Sequence, residues 1–176
     1  MVESTSGGTN LTEADRQNPA DSEMDRPSDG MVLTSELYLS HQPGQGNMVL
    51  LKEDSESTRH LLMFVGDAEF AAIAMEKGLV QTPRPLTHVT YLMVFQNAPV
   101  DFLRVEIHDQ VDNAFIANIY IKDHGELRVI DSRPSDAVCL ALRVGMPIYV
   151  HRKLLRSEGS SRPSDVLKEF TKQVKF

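Results

Sequence analysis

The chain has no tryptophan and a single cysteine, Cys139, among its 176 residues. One cysteine excludes a disulfide framework, and its position inside an apolar helical pattern predicts a buried, reduced thiol. No run approaches the roughly 18 apolar residues that a membrane-spanning helix needs. The N-terminus, MVESTSGGTN, is polar and has no signal-peptide core. These absences predict a cytoplasmic protein with no membrane partner. There is also no Walker loop, no Gly-x-Gly-x-x-Gly and no Cys/His zinc spacing, so no organic cofactor is expected.

What is present suits one globular domain with a tail: 41% hydrophobic and 24% charged residues, enough to bury a core. The net charge of −7 is unevenly spread. Residues 1–30 hold seven acids against two arginines, whereas residues 151–176 hold three acids against seven bases. An acidic chain gets little long-range help in attracting nucleic acid, so a polyanion has to meet a local cluster of arginines or a metal. Residues 1–30 contain no aromatic side chain and are dominated by small and polar residues, which predicts a disordered acidic tail. A folded domain is expected over 31–155 and a basic helical extension over 156–176.

Periodicity predicts strands at Val32–Ser40, Met48–Glu53 and His60–Val65, then an Ala-rich helix from Asp67 to Gly78. Pro83 and Pro85 hold the next loop extended. Thr87 is a good N-cap for a helix running to about Asn97. Phe102–Val111 and Ala114–Lys122 alternate cleanly, with Leu103, Val105 and Ile107 on one face and Asp112-Asn113 as a tight turn. With Glu126–Asp131 they predict a three-stranded meander. His151–Phe176 reads as one or two helices. Arg-Pro-Ser-Asp occurs at 26–29, 133–136 and 162–165, at spacings that suit capping and coincidence rather than a structural repeat.

The sharpest stretch is Val129–Val150, read as strand, polar turn, helix and strand, a βαβ unit. Ala137, Leu140, Ala141 and Val144 mark one buried helical face, and Gly145 with Pro147 supplies the stop. Pro134 suits the first helical turn, and Ser135 and Asp136 follow among its free N–H groups. Asp131 and Arg133 flank the same turn. Helix capping and a structural Arg–carboxylate pair explain this turn without a ligand and are the favoured reading of the turn alone; a ligand site at a strand end is the competing one.

Three patches resemble the bifunctional nuclease domain, a family named for cleaving both DNA and RNA. They are Gly66-Asp67-Ala68-Glu69 with Ala71-Ala72-Ile73-Ala74; Arg84-Pro85-Leu86-Thr87-His88; and Ile130–Ala137 through Ile148-Tyr149-Val150. The resemblance covers about residues 31–155. It implies an α/β (mixed α+β) fold: a compact single domain with a mixed β-sheet, a β-meander and several packed helices. It also implies a homo-oligomer and nucleic acid, DNA and RNA, as substrate. Val89 stands where family members often carry an acid, and Phe70 where a small residue is usual.

Chemistry then assigns roles to the matching positions. Cleaving a phosphodiester requires the phosphate charge to be neutralised and a nucleophile to be activated. Glu69, His88, Asp131 and Asp136 are the catalytic candidates, His88 because imidazole titrates nearest neutral pH. Arg84, Thr87, Arg133 and Ser135 are the phosphate-binding candidates. Glu69, Asp131 and Asp136 are the candidate ligands for a divalent cation, magnesium or manganese. The competing reading is a non-catalytic module that binds an anion, a nucleotide or a protein on the same fold.

Overall fold

The computed structural model describes residues 26–94 and 99–157. Among these residues nine strands form two sheets, and three helices pack with them. The first sheet has the order β1-β8-β5-β6-β7: β1 Met31–Thr34, β5 Val100–Val111, β6 Ala114–Asp123, β7 Glu126–Ser132 and β8 Ile148–His151. The second has the order β2-β3-β4-β9: β2 Glu36–Gln42, β3 Gly46–Lys52, β4 Arg59–Val65 and β9 Arg156–Ser157. The helices are α1 Asp67–Glu76, α2 Thr87–Val94 and α3 Pro134–Val144. The mixed α/β class predicted above is the observed one. Among the described residues, no helix is long and apolar enough to cross a membrane.

One apolar core joins the layers. Val105, Ile107, Ala117, Ile119, Ile148 and Val150 face it from the first sheet, and Leu37, Leu39, Val49, Leu51, Leu61 and Met63 from the second. Ile73 and Ala74 of α1 and Ala137, Val138, Cys139 and Ala141 of α3 complete it. Burying such side chains contributes about 1.5–3 kcal/mol for each large one. Met48 and Leu50 lie in a second, smaller cluster with Tyr38 and Leu62.

The meander β5-β6-β7 forms as predicted, with two tight turns at positive φ: Asp112-Asn113 (49° and 66°) and His124-Gly125 (50° and 85°). Positive φ at both central residues gives the turn twist that matches paired strands. The β7-α3-β8 unit is also present. Its two strands are parallel, with β6 and β5 intervening between them, and β8 pairs in parallel with β5.

Four expectations are corrected. The predicted strand Val32–Ser40 is two strands in different sheets: β1 pairs with β8 and β2 with β3, and the chain crosses over at Ser35. No Gly or Pro marks the break, because it is set by β8, more than a hundred residues away in sequence. Second, the clean alternation predicted through Leu103, Val105 and Ile107 is interrupted at Leu103, where the register shifts between Phe102 and Arg104. Third, His151 ends β8, a 3-10 turn covers Arg152–Leu154, and Arg156-Ser157 pairs with Arg59-His60 of β4, so the predicted helix is absent there. The rest of the predicted extension, residues 158–176, lies outside the described residues, as does the third Arg-Pro-Ser-Asp. Fourth, the end of the predicted tail is structured. Ser28 donates from its backbone N–H to Glu106 Oε1 at 2.9 Å and from its hydroxyl to Oε2 at 2.7 Å. Residues 1–25 of that tail and 95–98 of the second predicted helix lie outside the description.

Candidate functional site

The sequence places a carboxylate at the third position of α1, Glu69, and of α3, Asp136. Neither helix has a side-chain cap: the N-cap residues are Gly66 and Arg133. Pro134 disfavours a helical conformation for the residue before it, and Arg133 is extended at φ −65° and ψ 139°. From there its guanidinium reaches both acids. Nη1 lies 2.9 Å from Glu69 Oε1, while Nε and Nη2 lie 2.8 and 3.1 Å from the two oxygens of Asp136. Asp136 and then Glu69 push the Arg133 pKa up. Gly66 matters for space, because a Cβ there would sit 2.5 Å from Glu69 Oε2. Asn47 of β3 pins the same helix end by donating to Asp67 at 2.7 Å.

This cluster is open to solvent. The Arg133 side chain is 66% exposed and Asp136 53%, so an incoming anion can reach the guanidinium. Two helix N-termini without a side-chain cap and one arginine make an anion-binding arrangement. Ser135 is half-buried in the first turn of α3.

The other predicted residues lie elsewhere. α1 and α3 run side by side in the same direction: Glu69 meets Arg133 at one end, and Glu76 approaches Arg143 at the other, at 3.8 Å. His88 belongs to that second end. Its Nε2 lies 2.8 Å from Glu76 Oε1 and 3.5 Å from Cys139 Sγ. Thr87, the first residue of α2, and Arg84 in the preceding loop are exposed there. Seven residues of α1 separate Glu69 from Glu76, roughly 10 Å along the helix. Burial first, then the charges of Glu76 and Asp136, pushes the Cys139 thiol up to about 12, so it stays protonated at neutral pH.

Asp131 is separated by strand alternation. It pairs with Asn118, which pairs with Glu106, whereas the neighbouring pair Ile130–Ile119 points to the core side. Asp131 therefore faces the side of the sheet opposite the core and α3. Glu69 and Asp136 are both turned onto Arg133. Among the described residues no group of three or more His, Cys, Asp and Glu side chains is placed to hold a metal ion. The expected three-carboxylate cation site does not fit this arrangement.

Arg104 and Glu106, on the outer sheet face with Asp131, escaped the sequence reading. Arg104 Nε donates to Glu106 Oε1 at 2.6 Å, and its guanidinium stacks 3.8 Å from the centre of the Tyr120 ring. Burial opposes ionisation of Glu106, but hydrogen bonds from Arg104, Ser28 and Tyr120 outweigh it and hold its pKa below the ordinary carboxylate range. The available signal was two charged residues alternating with Val105 and Ile107, which ordinarily marks a solvated face.

Comparison with known proteins agrees with this organisation. The model of the bifunctional nuclease domain matches residues 49–167, a span that contains α1, α2, α3, Glu69, Arg133 and Asp136 at one helix end and Glu76, Arg84, His88 and Arg143 at the other. An uncharacterised protein of Mycobacterium tuberculosis, present in two strains, is 34% identical over 131 residues, 74% of this chain and 78% of that protein. Bifunctional nuclease 2 of Oryza sativa subsp. japonica is 31% identical over 83 residues, 46% of this chain and 26% of that protein. With the family model covering well over half its length, the chain belongs to the bifunctional nuclease domain family.

Proposed function

We propose that the chain hydrolyses phosphodiester bonds of DNA and RNA at the Arg133 cluster. The observation that carries this reading is one exposed guanidinium bridging the uncapped N-termini of two helices. A phosphate arriving there exchanges with the carboxylates for the guanidinium fork and gains the N–H groups of the first turns. One of Glu69 and Asp136, released from the arginine, then accepts a proton from an attacking water. As the new P–O bond forms and the bond to the leaving sugar oxygen breaks, that oxygen takes a proton from the carboxylic acid or from water. Ser135 lies in the same turn as a further donor to phosphate. His88 and Arg84, at the far end of α1, serve the flanking part of a bound strand rather than the reacting phosphate.

The test is cleavage of single-stranded DNA, duplex DNA and RNA by the full chain with magnesium, manganese or EDTA. Arg133→Ala is expected to lower the rate by about 10²–10³, the loss typical of removing a group that stabilises developing charge. Cleavage unaffected by Arg133→Ala would place the chemistry elsewhere. A folded chain that binds oligonucleotide through Arg133 but never cuts it would favour the non-catalytic module. That second reading is supported by the engagement of both carboxylates with Arg133. Comparing the magnesium, manganese and EDTA arms tests the cation requirement directly.

A further inference from the structure

The far end of the α1–α3 pair contains a hollow of about 400 Å³. That is within the roughly 300–1,000 Å³ of small-molecule sites. The loop that forms it leaves α1 through Gly78 at φ 75° and returns through Pro83 and Pro85, which hold it open. Two guanidiniums, Arg84 and Arg143, line the hollow against one carboxylate, Glu76, in a chain of net charge −7. Glu76 is already committed: its side chain is 7% exposed, pairs with His88 and lies 3.8 Å from Arg143. Among the described residues the Arg84 guanidinium has no ion-pair partner; only its carbonyl is engaged, accepting from Thr82 Oγ1 at 2.7 Å. The remaining wall is mixed: Gln81 and Thr82 lie on it beside the apolar Met75, Val89 and Met93. Met93 is 56% exposed, so its side chain is accessible to a ligand in the hollow.

We propose that this hollow is a nucleotide subsite. Arg84 and Arg143 hold a phosphate, and the base lies on Met75, Val89 and Met93. The inference rests on the phosphodiesterase reading for its ligand class. A strand with one phosphate on Arg133 and running along the helix pair, whose Glu69 and Glu76 are roughly 10 Å apart along α1, would bring a neighbouring nucleotide to this end. A guanidinium without an ion-pair partner among the described residues, beside exposed apolar side chains, suits a ligand with one anionic and one flat apolar part. A simple anion would leave the wall unused, and a nucleoside would leave Arg84 unpaired.

The experiment is calorimetric titration of the full chain with AMP, inorganic phosphate and adenosine, beside an oligonucleotide cleavage assay. AMP is expected to bind more tightly than either fragment. Arg84→Ala and, separately, Met93→Asp are each expected to weaken AMP binding at least tenfold, and Arg133→Ala to change it less than twofold. Both substituted side chains are exposed, so the fold is not at stake. Phosphate binding as tightly as AMP would overturn the proposal in favour of a bare anion site. AMP binding that is absent, or indifferent to both Arg84→Ala and Met93→Asp, would also overturn it. Expected AMP binding without any strand cleavage would retain the nucleotide site and remove the hydrolase reading. Cleavage without AMP binding would remove the subsite alone.

Discussion

Arg133 and Arg104 are the same residue type paired with the same kind of partner, and they have opposite fates. Arg104 lies against Glu106 with side chains only 5% and 1% exposed, stacked on Tyr120 and closed over by Ser28. Arg133 holds Glu69 and Asp136 with its own side chain 66% exposed. In the first case no solvent or ligand competes for the guanidinium, so the pair is fixed and structural. In the second, water already competes, and the ion pairs contribute little to stability. Burial, more than residue identity, decides which arginine is available to a ligand.

The contrast fails if the buried pair proves dispensable. Glu106→Ala is expected to destabilise the chain by about 3–5 kcal/mol, because it leaves Arg104 charged and poorly compensated. Urea denaturation monitored by circular dichroism measures this directly. Ser28→Ala removes the hydroxyl bond to Glu106 and is expected to cost about 1–2 kcal/mol by the same measurement. At the exposed cluster, Arg133→Ala is expected to change stability by less than about 1 kcal/mol while abolishing most cleavage. A large stability loss there would make Arg133 structural and erase the distinction.

Acid sharpens the same comparison. The Glu106 pKa is lowered in the folded chain, so the unfolded chain binds its proton first as pH falls. Its contribution is fully present above the unfolded carboxylate value near 4.5 and is lost as pH drops through the lower folded value. Glu106→Gln is expected to flatten the stability curve in that window, measured as the urea midpoint between about pH 5 and pH 3. The smallest effect concerns Cys139, whose thiol is raised to about 12. Native chain at pH 8 is expected to react with a thiol reagent far more slowly than urea-unfolded chain.

Much of this organisation was legible because it is local. Asp67 at the head of α1, Pro134 at the head of α3 and Gly145 at its end act within one turn of themselves, and these helices stand close to where periodicity placed them. The meander was equally readable, since Asp112-Asn113 and His124-Gly125 encode their own turns. The pairing of Arg133 with a carboxylate was foreseeable from the i, i+3 spacing to Asp136; the second carboxylate, Glu69, comes from 64 residues away.

What the chain encodes in short stretches, the sequence by itself determined: the α/β class, the three helices, the hairpin turns and the family motifs. Only the tertiary structure decided which motifs meet. Parallel packing of α1 and α3 put Glu69 with Arg133, and the return of the chain into α2 put His88 with Glu76 at the opposite end of that helix pair. Strand alternation in β7 carried Asp131 to the other face of the sheet, and pairing with β8 pulled β1 away from β2. The physical reason is that side-chain direction along a strand or helix is fixed locally, but the neighbour it faces is chosen by burial between segments far apart in the chain.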